Sequence, residues 1–340
     1  MKTAFISLLI FSVMLTGTGK AQYITKYPDI PRIDVHAHIS NNYATIDNYL
    51  IMRDSLLLNR RIDLAMWINL GGGNKGEAGI DTVTKASKGR IMTAISDYTP
   101  HKGLKRNPKD LPKYMKKGYV GYKIWYGPYY RVIKEGEEGF KYVDDPSIEP
   151  IFAEMEKIGM VATSIHIADP NGPFGNRGKW AADPIAYWRQ IVGMERVLQR
   201  HPDLTVIAAH CCWLICQDAQ IDFLRYMLET YPNLYLDLAA TEQYYYLVNR
   251  ENLRDFMITY ADRIMFGTDR GVVNTNGIRN TVNTYARFFQ MLETDDEITV
   301  RTPMKGLDLP KEALEKIYYK NAAKLYPGLS DRMKSLGYKL

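Results

Sequence analysis

Ile33-Asp34-Val35-His36-Ala37-His38 is the stretch on which the fold turns. Polar and apolar residues alternate through it, so Asp34, His36 and His38 share one face of a strand, near its end. Similar short β-branched or aliphatic runs recur downstream. With the first they give eight strand candidates: Pro31–His38, Arg61–Asn69, Arg90–Ser96, Tyr119–Trp125, Met160–Ile167, Leu204–His210, Asn233–Leu238 and Arg263–Asp269. The first four begin about 29 residues apart, which suits one strand, one helix and two short loops.

The intervening segments carry helix signals. Asp183-Pro184 supplies an N-cap and a first-turn proline for a helix running to Arg200, and Asp145-Pro146 opens another that ends at Gly159. Strands alternating with helices imply a parallel sheet. Eight such units close most simply into a single-domain (β/α)8 TIM barrel, an α/β fold whose reactive residues lie at the C-terminal ends of the strands. The alternative, an open doubly wound sheet, lacks its Gly-x-Gly-x-x-Gly turn here; Gly71-Gly72-Gly73 follows the second strand and reads as a loop. The long loops after strands four (Tyr126–Asp144) and five (Ala168–Ala182) would overhang the barrel mouth.

The 340 residues are 46% hydrophobic and 24% charged, an ordinary globular composition. Met1 and Lys2, an apolar run from Ala4 to Leu15 and the small residues around Lys20 make the three-part pattern of a secretory signal peptide. The expected mature domain is therefore 22–340, exported to the periplasm or secreted, with no membrane span once residues 1–21 are cleaved. Loss of Lys2 and Lys20 would take the formal charge from +6 to +4, too mild and too dispersed for a nucleic-acid surface. Cys211, Cys212 and Cys216 lie within six positions and form no disulfide framework; buried thiols are expected, with a Cys212–Cys216 bridge as the alternative. The sequence leaves the oligomeric state open.

Placed on the strands, the polar residues gather at one rim. His36 and His38 end strand one, Lys123 lies near the end of strand four, and His166, His210 and Asp269 end strands five, six and eight. A lone strand histidine is more often a satisfied core residue, but four of six histidines on one rim point to a metal site. Imidazoles with one carboxylate suit zinc and also accept manganese, iron or nickel. His101 in a loop and His201 before a proline look ordinary.

The ordered set resembles the amidohydrolase superfamily: His-x-His at His36 and His38, then His166, Ala-Ala-His at His210, and Phe266-Gly267-Thr268-Asp269. Asn321-Ala322-Ala323-Lys324-Leu325 is similar to the tail of its amidohydrolase-related branch, which includes hydrolases, lactonases, hydratases and decarboxylases. The resemblance runs from about residue 30 to 326. It implies that His36, His38, His166 and Asp269 hold a divalent metal. Asp269 would also take a proton from the attacking water, and His210 would polarise a substrate carbonyl or steady its oxyanion. It further implies two readings of Lys123: a carboxylated bridge to a second metal, or an unmodified amine that contacts substrate. The single-ion site, with zinc, is the expectation. Asp34 is read as supporting a ligand histidine, or as a buried acid bonded to backbone amides; Asp237 as facing the same cavity or purely structural.

The loops bring Trp125, Tyr126, Arg131, Arg177 and Trp180 to the mouth, a set suited to a flat or cyclic anion. Together these readings describe a metal-dependent hydrolase acting on an amide C–N or a lactone or ester C–O bond of a small anionic compound. A nonoxidative decarboxylase on the same barrel is one rival. A metal-bound binding protein without turnover is the other, set back by Asp269 and His210, since a structural zinc site closes its coordination shell.

Overall fold

Strand one, β1 (Arg32–Ala37), is buried along its whole length, and so is β2 (Leu64–Asn69). Both faces of each strand are covered, which is the condition for a parallel sheet wrapped in helices. The computed structural model describes residues 22–40, 42–71, 80–96, 106–125, 141–167, 184–271 and 275–340. Segment 1–21, read above as a signal peptide, and Tyr126, Arg131, Arg177 and Trp180 lie outside the described residues.

Eight strand positions follow in chain order. β3 comes in two pieces, Ile91–Thr93 and Ile95–Ser96, the first paired with β2 and the second with β4 (Gly121–Trp125). Next come β5 (Val161–His166), β6 (Val206–Ala208), β7 (Leu234–Asp237) and β8 (Ile264–Met265), each parallel to its predecessor. The ring closes by hydrogen bonds between the first and last positions: Val35 N to Phe266 O at 3.0 Å, Asp269 N to His36 O at 2.8 Å and His38 N to Arg270 O at 2.7 Å. The expected TIM barrel is the observed fold.

Helices α1 (Tyr43–Arg60), α2 (Ile80–Ala86), α3 (Leu111–Lys116), α4 (Glu149–Ile158), α5 (Pro184–Arg200), α6 (Asp218–Thr230), α7 (Arg250–Thr259) and α8 (Ile278–Glu293) alternate with the strands. In α1 the buried Tyr49, Met52 and Leu56 recur at helical spacing, so one stripe faces the barrel. Asn42 caps that helix through a bond from Thr45 N, worth about 1 kcal/mol, and α4 stops at Gly159 in the left-handed region (φ 68°). Among the described residues no helix is long and apolar enough to cross a membrane.

The sequence-based strand limits run too long at two places that matter. β6 ends at Ala208 and β8 at Met265, so His210 and Asp269 sit in the loops beyond their strands. Both residues have left-handed φ (56° and 58°), which turns the chain out of the sheet ladder. The tail motif has a structural job: Asn321 Nδ2 donates to Ala261 O (2.8 Å) and Ile264 O (2.7 Å). The π-helical turn Lys316–Lys320 before it frees Ile317 O to accept from Phe266 N at 2.9 Å. Both contacts fasten β8.

At the foot of β1, Arg32 and Glu293 are fully buried and meet at 2.7 Å. Tyr23 OH, Thr25 Oγ1 and Tyr318 OH also donate to the carboxylate, and the guanidinium lies 4.9 Å from the Phe289 and Tyr318 ring centres. Removing one member of such a pair strands the other charge. Arg32→Met should therefore cost about 3–5 kcal/mol in urea unfolding, with part recovered in the Arg32→Met/Glu293→Leu double variant. A loss under about 1 kcal/mol would show that the pair does not hold β1 to α8.

Candidate metal centre

The rim begins with a close approach of strands. A Cβ on Gly267 would fall 2.9 Å from His36 Cβ, so only glycine lets the Phe266–Asp269 segment lie against β1. Asp34, fully buried, ties the two together: it accepts from His36 N (2.9 Å), Thr268 N (3.1 Å), Thr268 Oγ1 (2.5 Å) and Tyr285 OH (2.5 Å). Burial pushes its pKa up to about 6, and the Thr268 and Tyr285 bonds oppose that rise. Asp34 thus holds the backbone of a site histidine, not an imidazole.

The residue that orients the His36 imidazole is Asp237, at the end of β7. His36 Nδ1 lies 3.0 Å from Asp237 Oδ2, and Asp237 Oδ1 accepts from the backbone of His210 (2.9 Å) and Ala239 (3.1 Å). Two further histidines have Nδ1 set against a backbone carbonyl: His38 against Gly71 O (2.8 Å) and His210 against Ala239 O (2.6 Å). A carbonyl can only accept, so Nδ1 carries the proton in both. In a neutral ring Nε2 is then the lone-pair nitrogen, the arrangement that metal-ligating histidines show.

Those nitrogens converge on Asp269. His38 Nε2 is 3.0 Å and His36 Nε2 3.3 Å from Asp269 Oδ1. Donor atoms of His36, His210 and Asp269 all lie within 4.8 Å of one another. On the opposite wall His210 Nε2 stands 3.3 Å from His166 Nδ1. Two atoms bound to one zinc at ~2.0–2.1 Å in a tetrahedron stand about 3.3 Å apart, so the donor set fits a small divalent cation in both chemistry and spacing.

The charges are finely set. Burial lowers the His36 pKa, but the Asp237 and Asp269 carboxylates outweigh it and hold the ring up at about 9. His166 and His210 are pushed down to about 3, chiefly by burial. Asp269 is held well below the carboxylate range, its burial overcome by His36 and His38. A neutral His210 whose Nδ1 proton is committed to Ala239 offers a lone pair at Nε2. In that state it suits a ligand or acceptor role, whereas polarising a substrate carbonyl or steadying its oxyanion would need a proton on Nε2.

Lys123 is buried, and its ammonium donates to Ser164 O (2.7 Å) and Ser164 Oγ (2.9 Å). Ser164 Oγ in turn lies 2.9 Å from His36 Nδ1. Burial lowers the lysine pKa to about 8, against the pull of Asp237 and Asp269. Trp125 stacks on His166 at 5.5 Å between ring centres, with Lys123 Nζ 5.7 Å from the indole centre.

Sequence reasoning missed Ser164 and Trp213. Ser164 precedes His166 by two positions in β5 and so was within reach of the same parity argument, but its left-handed φ (49°) was not. His210, Cys211, Cys212 and Trp213 form a complete left-handed turn (φ 56°, 51°, 53° and 60°) without a glycine. Each such residue costs roughly 1–2 kcal/mol, and nothing in the sequence announces it. All three cysteines are free and buried, as the thiol reading expected. His201 bonds Glu149 and Glu156, both at 2.9 Å, an ordinary structural histidine.

Fold and site define a (β/α)8 barrel with a histidine–aspartate cluster at its C-terminal rim that could hold a metal ion. A family model described as amidohydrolase matches residues 133–328, more than half of the chain, and the chain belongs to that family of metal-dependent hydrolases. Solved structures agree on the fold. A TIM-barrel protein from Bordetella bronchiseptica is 16% identical, with TM-score 0.54 over 90% of this chain and 100% of that one. Dihydroorotase from Saccharomyces cerevisiae, solved with 5-fluoroorotic acid, is 12% identical, with TM-score 0.53 over 89% and 85% of the two chains. No curated protein matches the sequence.

His36→Ala, His38→Ala and Asp269→Ala should each reduce bound metal, measured by elemental analysis, from near one ion per chain to a small fraction. Unchanged content in all three would refute the site. The ion must also displace the proton on His36 Nε2. Since that proton is held up to about pH 9, affinity should rise with pH from 6 to about 9 and then level off in chelator competition.

Proposed function

We propose that one divalent ion, zinc, is held by His36, His38 and Asp269 on one side and by the His166–His210 pair on the other. The centre would serve hydrolysis of an amide, lactone or ester in a small anionic, cyclic or aromatic compound. The observation that carries this reading is the convergence of Nε2 from His36 and His38 on the partly exposed Asp269 carboxylate. A divalent ion bound there acts as a Lewis acid and brings the pKa of a coordinated water towards ~7.

The chain's own groups have distinct tasks. Asp269, open on the mouth side, takes the proton of the attacking water and can return it to the leaving group. Asp237 and the backbone carbonyls of Gly71 and Ala239 fix the imidazole tautomers so that no ring need turn during reaction. Lys123, engaged by Ser164, stays an ammonium and balances the charge of Asp237 and Asp269 rather than bridging a second ion. Trp125 presents the apolar wall beside His166, and Tyr126, Arg131, Arg177 and Trp180 are assigned to recognition of the substrate ring and its carboxylate. Residues 1–21 are assigned to export, leaving 22–340 as the mature domain in the periplasm or outside the cell.

Asp269→Asn should lower turnover about 10²–10⁴-fold on any amide or lactone that the protein cleaves. Reaction in ¹⁸O-water should place one labelled oxygen in the acid product. Release of carbon dioxide without label would instead establish the decarboxylase, and two ions per chain with a carboxylated Lys123 would overturn the single-ion assignment.

A further inference from the structure

The left-handed turn after β6 is a costly way to leave a strand, and glycine at any of its positions would relieve it. The chain uses Cys211, Cys212 and Trp213 instead. At the fourth position of the turn the side chain swings back over the first. The Trp213 indole lies face to face on the His210 imidazole, ring centres 4.4 Å apart and planes 16° from parallel. Trp213 is almost fully buried and is backed in turn. Tyr244 meets it edge-on at 5.7 Å, and the Arg301 guanidinium lies 5.2 Å from the Tyr244 ring centre while donating to Gln243 Oε1 at 2.6 Å. A column of packed groups therefore runs from Arg301, in the hairpin between Glu297–Thr299 and Pro303–Lys305, through Tyr244 and Trp213 to His210.

The Ala239 carbonyl and His166 Nδ1 engage the two His210 nitrogens, but hydrogen bonds at the ring edge leave its faces free to rock about the line between them. A flat partner on one face removes that freedom. We propose that Trp213 is a positioning residue that holds the His210 ring with Nε2 towards His36 and Asp269, and that the strained turn persists because it delivers this indole. Offset-stacked aromatic pairs are stabilised by their ring quadrupoles and by burial, so the contact supplies restraint as well as packing. The assignment rests on reading His210 as part of the metal centre.

The test uses the purified mature chain, stripped of metal and reloaded with zinc or cobalt(II). Trp213→Leu should weaken zinc about tenfold or more in chelator competition, the usual range for groups that orient a ligand. It should also shift or broaden the visible absorption of the cobalt protein, while Trp213→Phe, which keeps a ring face, restores both to near wild type. Unchanged affinity and an unchanged cobalt spectrum in Trp213→Leu would overturn the proposal. If the leucine protein does not fold, Tyr244→Leu decides the matter: removing the edge that backs Trp213 should loosen the cobalt site, and an unaltered spectrum and affinity would overturn it. His210→Ala separates the two readings. Metal affinity untouched by His210→Ala defeats the metal role of His210 itself; affinity lost in His210→Ala but kept in Trp213→Leu defeats only the positioning role.

Discussion

Everything at the rim depends on the buried carboxylate of Asp34. It joins β1 to the segment after β8 by accepting from the backbone of His36 and of Thr268, and so closes the barrel at the point where both contribute to the centre. The closure is tight because Gly267 has no side chain to hold the strands apart. The cost of burying the acid is visible in its raised pKa, and four hydrogen bonds offset it. With that closure in place, Asp269 N can donate to His36 O, and the carboxylate of Asp269 comes within 3.0–3.3 Å of two imidazoles.

A second acid sets the chemistry. Asp237 is fully buried, yet His36 and the backbone of His210 keep its carboxyl ionised and well below the usual range. One of its oxygens orients the His36 ring and the other orients the chain that carries His210, so a single side chain aligns both walls of the centre. Lys123 supplies the buried counter-charge at a distance and is tethered by Ser164 rather than paired directly. Without an ion the balance leaves His36 protonated and His166 and His210 neutral. Donor atoms of His36, His210 and Asp269 are already within 4.8 Å of one another, so an incoming cation would displace the His36 proton.

Much of this was legible in the sequence, for reasons that differ by residue. The parity of Asp34, His36 and His38 follows from the two-residue period of a strand, and α5 is observed over the Pro184–Arg200 span that its proline start implied. His210 and Asp269 were placed on the correct rim but on the wrong element, since strand limits read from apolar runs cannot detect a chain that turns left-handed just past them. The partners that set tautomer and charge were harder to read. Asp237 and Ser164 act through contacts 201 and 128 residues away in sequence, a property of closure rather than of local pattern. How His210 can act depends on a backbone carbonyl, Ala239 O, that sets which nitrogen is protonated in the neutral ring, and no residue type records that.

Apart from Arg61, Lys88 and Asp308, the left-handed residues other than glycine cluster. Ser164, His210 with its three successors, Ala240 and Asp269 are all at or beside the centre, and none is glycine. Strain of that kind survives only where the surroundings over-determine it. Here the surroundings are the closed ring of parallel strands, with one continuous apolar core packed beneath it. Three of these positions also bring a side chain into the centre: Ser164 reaches both Lys123 and His36, Asp269 turns its carboxylate back over β1, and the turn at His210 brings Trp213 onto the ring. The barrel therefore supplies stability that the rim consumes in fixing donor atoms. A glycine placed in the rim to relax it would lose the side chain for which the strain is kept.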